Sequence, residues 1–318
     1  MEKRRIGDSG IEVATLALGG NVFGWTADET TSFALLDAFV DAGGTMIDTA
    51  DVYSAWVPGH VGGESETVIG RWLKRDPAKR DKVVIATKVG FMAGLAPDTI
   101  GPACDASLQR LGIETIDLYY QHKDDENVPL ADSLGAFDQL AKAGKIRAIG
   151  LSQFTAPRLE EAMRTAAADG LLKPCCLQPW YNMVEREKLE GELRDTALAH
   201  GLGIFPFYSL ANGFLTGKYR GKDDLDKSPR GLRNVAYLEG KGQRVLEALD
   251  AIAADTGAAL ATIALAWTIA QPGITAALAS ATSVEQLEQL TAAMHLTLTP
   301  HQIARLDDAS AEAVPATV

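Results

Sequence analysis

Eight short apolar runs recur along the chain at fairly even spacing. They are TLALGGN (15–21), TMIDTA (45–50), VVIATK (83–88), IDLYYQH (116–122), IRAIGLS (146–152), CCLQ (175–178), GIFPFYS (203–209) and TAALAS (275–280). Most are nearly continuous in apolar residues rather than alternating, as expected of strands covered on both faces of a parallel sheet. Amphipathic stretches lie between them. Residues 30–40 place Phe33, Leu36 and Val40 on one face, behind Asp28 as an N-cap. Helical stretches at 64–73, 97–111, 130–143, 157–168, 190–200 and 284–294 follow the second to sixth runs and the eighth. Gly144, Gly170 and Gly201 stand where such helices should end.

Eight strand–helix units in one chain predict an α/β fold, a (β/α)8 TIM barrel occupying residues 1–318 as a single domain. Two additions are expected. Residues 3–15 read as a β-hairpin that plugs the N-terminal mouth, with Asp8-Ser9-Gly10 at its turn. A long loop, about 210–240, follows the seventh run and leads into two helices instead of one, which gives extra C-terminal helices. A doubly wound sheet is the rival architecture, but no Gly-x-Gly-x-x-Gly turn follows the first run.

Charge narrows the partners. The 30 basic and 42 acidic residues leave a net charge of −12, which disfavours nucleic acid and anionic membranes as general partners. A small anion still needs only a local positive field. Cys104, Cys175 and Cys176 have neither metal-like spacing nor an even count, and the adjacent pair should point to opposite faces of a strand as packing. The opening MEKRRIGDSG is not a signal peptide, and the apolar run 258–270 is too short to cross a membrane and reads as a buried helix. A cytoplasmic location is the expectation.

In such a barrel the C-terminal strand ends and the loops beyond them form the active site. Those positions hold Asn21, Asp48, Lys88, His122, Ser152 with Gln153, Gln178, Tyr208 and Ser280. Singly, each reads as a cap, a solvated end or a satisfied core group. Jointly, the fold brings them to one mouth. Asp48 and Lys88 end adjacent strands and can pair, and a cation beside Tyr53 should stabilise phenolate and lower the pKa of its phenol. His122 can hydrogen-bond a substrate oxygen. A phenol and an imidazole suit protonation of a carbonyl oxygen. The electron pair must then come from a hydride-carrying cofactor. Ser152, Gln153 and Gln178 suit a carboxamide, and Tyr208 offers a face for a ring.

These segments together resemble the aldo-keto reductase superfamily, with the flavour of bacterial members related to potassium-channel β-subunits. The resemblance rests on DTADVYS followed by GGESETVIG, on ATKVG, DLYYQHKDD, GLSQF, LQPWYN and YSLANGFLTGKY. It implies Tyr53 as general acid and base, Lys88 tuning it, Asp48 holding Lys88 and His122 orienting the carbonyl. It implies that Gly20, Asn21, Asp48, Ser152, Gln153, Gln178 and Tyr208 meet the nicotinamide side of NADPH. Ser209, Leu210, Gly213, Leu215 and Lys218 would meet the pyrophosphate.

Many members bind the 2′-phosphate with a Lys or Arg just after the eighth strand. Here Ser280, Ala281, Thr282 and Gln286 occupy those positions, so NADH becomes credible beside NADPH. The helix N-terminus at Ser283 can still receive a phosphate. The basic loop that holds Lys218, Arg230 and Arg233 reads either as a solvated segment or as a clasp on the phosphates. Phe23, Trp25, Trp56 and Phe91, with Tyr53 and His122, are the expected substrate wall or rim anchors. The loops show no Arg pair for a carboxylate, which favours a neutral aldehyde, ketone or alcohol. Two rival readings are a Schiff-base lyase using Lys88 and a cofactor-binding regulatory subunit. The oligomeric state and the physiological substrate are not legible.

Overall fold

A computed structural model describes residues 2–228 and 230–312. The chain opens with a two-stranded antiparallel hairpin, β1 (Lys3–Arg5) and β2 (Glu12–Ala14), and then winds an eight-stranded parallel sheet. Its strands are β3 (Leu16–Gly19), β4 (Met46–Asp48), β5 (Val84–Val89), β6 (Ile116–Gln121), β7 (Ile146–Ser152), β8 (Cys176–Gln178), β9 (Gly203–Ile204) and β10 (Ala277–Ala279). Order in the sheet follows order in sequence, with β10 beside β3. The last seam is closed by Thr275 N–H donating to Ile204 O at 2.8 Å and Leu278 N–H to Pro206 O at 2.9 Å. The sheet is therefore a closed barrel rather than a doubly wound layer.

Helices α1 (Glu29–Asp41), α2 (Glu64–Arg75), α3 (Pro97–Leu111), α4 (Leu130–Lys142), α5 (Ala156–Ala168) and α6 (Glu192–Ala199) surround it. They are joined by α7 (Lys241–Thr256), α8 (Leu260–Ala270), α9 (Val284–Thr291) and α10 (Pro300–Ser310). Asp28 caps α1 through a bond from Thr31 N–H, as its position before the apolar stripe predicts. Gly144, Gly170 and Gly201 take left-handed backbone just beyond α4, α5 and α6. The long segment after β9 is not a plain loop. It holds three 3-10 turns, at Ala211–Thr216, Lys222–Lys227 and Gly231–Tyr237.

The alternation of strand residues sorts the core into two layers. Met46, Ala86, Leu118, Tyr120, Ala148, Cys176, Phe205 and Leu278 fill the barrel, and Ile6, Ile11 and Val13 of the hairpin seal its lower end. Ile47, Ile85, Tyr119 and Ile149 face outward to the helices. Cys175 and Cys176 both belong to the inner layer, against the expectation of opposite faces, because Cys175 lies just before β8 begins. Among the described residues, no single helix is long and apolar enough to cross a membrane. The apolar run expected to be a buried helix is α8, where every residue from Ala261 to Ile269 is buried.

Candidate active site

The inward parity that places Met46, Ala86 and Tyr120 in the barrel also places Asp48, Lys88 and His122 inward, one pleat nearer the C-terminal mouth. Ser152 and Gln178 follow from Gly150 and Cys176 in the same way. A period of two residues is thus what turns scattered strand-end polar groups into one layer.

Lys88 is the hub. Its buried Nζ donates to Asp48 Oδ1, to Thr49 O at 2.8 Å and to Tyr53 Oη at 3.0 Å. Asp48 Oδ2 accepts from Gln178 Nε2 at 2.9 Å, so both of its oxygens are engaged. Burial opposes the ammonium, but Asp48 and Tyr53 outweigh it and raise the pKa of Lys88 above its ordinary value. A charged ammonium is no Schiff-base nucleophile, which removes the footing of that rival reading.

Tyr53 corrects one expectation. Burial pushes its phenol up, Lys88 pulls it down and Asp48 pushes it up again, with a net rise above the usual tyrosine value. The cation favours phenolate, as expected, but desolvation in the folded mouth outweighs it. The phenol is consequently a protonated donor at neutral pH. His122 lies beside it, with ring centroids 5.9 Å apart. Burial and the nearby Lys88 and Lys123 hold His122 well below the ordinary imidazole range, so it is neutral and keeps a single N–H. Its Nδ1 is buried without a partner among the described residues.

Around this centre lie rings. Trp56 meets Tyr53 at 6.1 Å and Trp25 at 5.6 Å, and Phe91 meets His122 at 4.9 Å. Trp56 and Phe91 are exposed, at 50% and 42%. Phe23 is a correction: it is fully buried in the layer between sheet and helices, so it cannot line a substrate pocket.

The other expected residues divide. Ser152 Oγ donates to Gln178 O at 3.0 Å, and Gln153, at φ +57°, donates from Nε2 to His122 O at 3.0 Å. Tyr208, at φ +57°, packs its ring 4.4 Å from Trp180, and its carbonyl accepts from Asn182 Nδ2 at 3.2 Å. Asn182, fully buried, was not singled out from the sequence, although it stands in the quoted LQPWYN segment. Gly20 N–H donates to Asp48 O at 2.7 Å, and Ser280 Oγ donates to Asn21 Oδ1 at 2.5 Å, which joins the first and last strand ends.

Beyond β9, Ser209 is buried and donates to Pro206 O, and Leu215 is buried in the core. The Leu215 side chain cannot line a ligand; only its backbone is available. Leu210 is partly buried against the core, and Gly213 has left-handed backbone with Lys218 beside it. Thr282 and Gln286 are bonded to each other, through Thr282 N–H and Oγ1 to Gln286 Oε1.

Part of the basic loop is already neutralised: Arg220 pairs with Asp250 and Lys227 with Asp224. Arg230 differs. It is largely buried, in the field of Tyr208, Arg233 and Tyr219, and burial pushes its pKa down. Arg233 Nη1 donates to Tyr208 Oη at 3.4 Å. In the same segment, among the described residues, buried Asn234 has neither carboxamide atom partnered, and Asn212 Oδ1 is unpartnered too. Two arginines beside Tyr208, with unpartnered amide groups in the same segment, fit a phosphate-bearing dinucleotide.

A model of the Aldo/keto reductase family matches residues 15–311. An uncharacterized oxidoreductase of Bacillus subtilis is 32% identical over 321 residues, covering 97% of this chain and 95% of that protein. L-glyceraldehyde 3-phosphate reductase of Escherichia coli K12 is 30% identical, covering 96% and 92%. A probable voltage-gated potassium channel subunit beta of Arabidopsis thaliana is also 30% identical, covering 91% and 90%.

Proposed function

The chain belongs to the aldo/keto reductase family, and on that premise we propose that it interconverts a carbonyl and an alcohol with NADPH or NADH. The observation that carries this reading is the buried Lys88 ammonium, bonded at once to Asp48, Thr49 O and Tyr53 Oη. When bound, the nicotinamide supplies a hydride to the carbonyl carbon or accepts one from the alcohol.

The chain's own groups supply the rest. A substrate oxygen accepts from the Tyr53 hydroxyl and from the His122 N–H. As charge develops on that oxygen, the Tyr53 proton transfers to it. Lys88 stabilises the phenolate left behind, and Asp48 with Gln178 fixes the ammonium in place. In the oxidative direction the same phenolate takes the proton back. His122, neutral at pH 7, donates without holding a charge of its own.

Ser152, Gln153, Gln178, Asn182 and Tyr208 would hold the carboxamide and ring. The segment from Ser209 to Lys218, with Arg230 and Arg233, would hold the phosphates. The two arginines take over the part of the missing cation after β10. If so, Arg230→Ala and Arg233→Ala weaken NADPH more than NADH. Equal, unchanged affinity for both would remove them from the site.

The rings of Trp25, Trp56 and Phe91 favour a neutral, partly apolar carbonyl compound. Cofactor titration by fluorescence, followed by a panel of aldehydes and ketones that includes glyceraldehyde 3-phosphate, tests the reading. Turnover of neutral substrates supports it. Binding of neither cofactor overturns it.

A further inference from the structure

Asp51 lies between Asp48 and Tyr53 and takes no part in the chemistry above. Its turn is tied to the neighbouring strand: Thr49 N–H donates to Ala86 O at 2.8 Å, Asp51 N–H to Lys88 O at 3.1 Å, and Thr49 O accepts from Lys88 Nζ. Tyr53 N–H closes the turn on Ala50 O at 3.3 Å. The loop that follows lies directly on it, since a Cβ on Gly62 would come within 2.8 Å of Asp51 O. The Asp51 carboxyl therefore belongs to the turn that presents the catalytic phenol.

That carboxyl is surrounded by committed charges. Glu66 of α2 is fully buried and uses both oxygens, accepting from Thr87 Oγ1 at 2.5 Å and from Arg110 Nε of α3 at 2.7 Å. Lys88 of β5 is committed to Asp48. Three carboxyls, those of Asp48, Asp51 and Glu66, thus share the two cations Lys88 and Arg110. Among the described residues, Asp51 is the one of the three left without an ion pair, and its Oδ1 is shut from solvent with no hydrogen-bond partner. Tyr119 of β6, buried with an unpartnered hydroxyl, is the other titratable group that feels it, and burial keeps that phenol neutral.

We infer that Asp51 is a proton-loaded positioning residue: its neutral carboxyl lets the 49–53 turn hold Tyr53 against Lys88, and losing that proton slackens the hold. Ionisation releases one proton to solvent and places a new negative charge among Glu66 and Asp48. It also draws on Lys88, the cation that stabilises the Tyr53 phenolate. The location of the step agrees with this charge count. Burial, and then Glu66, push the Asp51 carboxyl up to about 7, against the opposing pull of Arg110, the Val52 amide and Lys88. Tyr53 lies above the ordinary phenol range and His122 well below the ordinary imidazole range, so neither titrates there.

The sign follows from linkage. An aspartate is at about 3.9 in the unfolded chain. Between that value and about 7 the folded state binds the extra proton, so stability falls as pH rises through this window and levels off above it.

The test measures Tm and kcat/KM for an aromatic aldehyde with NADPH from pH 5 to 8.5, in wild type and Asp51→Asn. In wild type, Tm should fall by a few degrees up to about pH 7 and then flatten, and kcat/KM should fall with an apparent pKa of about 7. Asp51→Asn should lose both steps and exceed wild type at pH 8. The kinetic half rests on the carbonyl-reductase reading; the thermal half does not. A wild type that turns over carbonyls but keeps the same pH step in Asp51→Asn overturns the role of Asp51 alone. A wild type that reduces no carbonyl overturns the functional reading, and the kinetic role falls with it. If Asp51→Asn does not fold, Glu66→Gln serves, because removing its charge must move the step to lower pH. A step that stays in place contradicts the inference.

Discussion

Lys88 is the residue on which the site depends most, because among the described residues it is the only cation bonded to Asp48 and Tyr53 together. Lys88→Met should remove activity and also leave Asp48 buried without its counter-charge. Breaking a buried pair from one side costs about 3–5 kcal/mol, so a clear drop in the urea midpoint is expected, not only a kinetic defect. An inactive variant of wild-type stability would mean that Asp48 is protonated. Asp48, Lys88, His122 and Gln178 were legible in the sequence because polar residues ending apolar runs are conspicuous and a two-residue period gives them one direction. The raised pKa of Tyr53 was not legible, since it depends on how much solvent the folded mouth removes. Nor was the role of Asp51. Its place in DTADVY is plain, but its state depends on Glu66 and Arg110, which arrive from two different helices. Phe23 misled for a related reason: an aromatic residue after a strand can turn to the mouth or to the helix layer, and only packing decides.

At the scale of elements, two close approaches carry the site. A Cβ on Gly70 of α2 would lie 2.2 Å from Arg110 O of α3, so only glycine lets these helices bring Glu66 to Arg110. Gly70→Ala should cost about 1–3 kcal/mol, read from the urea midpoint, and should disturb the pH step assigned to Asp51 as well. A Cβ on Gly150 of β7 would meet the Tyr120 ring at 2.3 Å and Cys176 Sγ at 2.9 Å, in the layer beneath Lys88. Gly150→Ala is expected to be destabilising by a similar amount, and an unchanged midpoint would show that Tyr120 has room to move. Strands were legible as evenly spaced, nearly continuous apolar runs, and long helices because each repeats a helical period over enough residues. The three 3-10 turns after β9 were not. Turns of six or seven residues are too short to show a period, and their mixed charge reads equally as solvated loop. The half-buried Arg230 and the buried Asn234 were hidden in that segment.

At the scale of the whole molecule, the sequence order of strands equals their spatial order, and this is why eight apolar runs sufficed to read a barrel. Closure between β9 and β10 then brings Asn21 and Ser280, residues 259 apart in sequence, into one bond at the mouth. Strong net negative charge sets the background against which the cations near Tyr208 stand out. Fold and family leave one decision open to experiment, because relatives of similar identity include both a reductase and a probable channel subunit. The decision rests with the proton donor. Oxidation of NADPH and NADH at saturating carbonyl substrate, comparing wild type with Tyr53→Phe, tests it most directly. Removing the hydroxyl while keeping the ring should lower kcat by about a hundredfold or more, with cofactor affinity unchanged. Turnover by Tyr53→Phe at the wild-type rate would contradict the account.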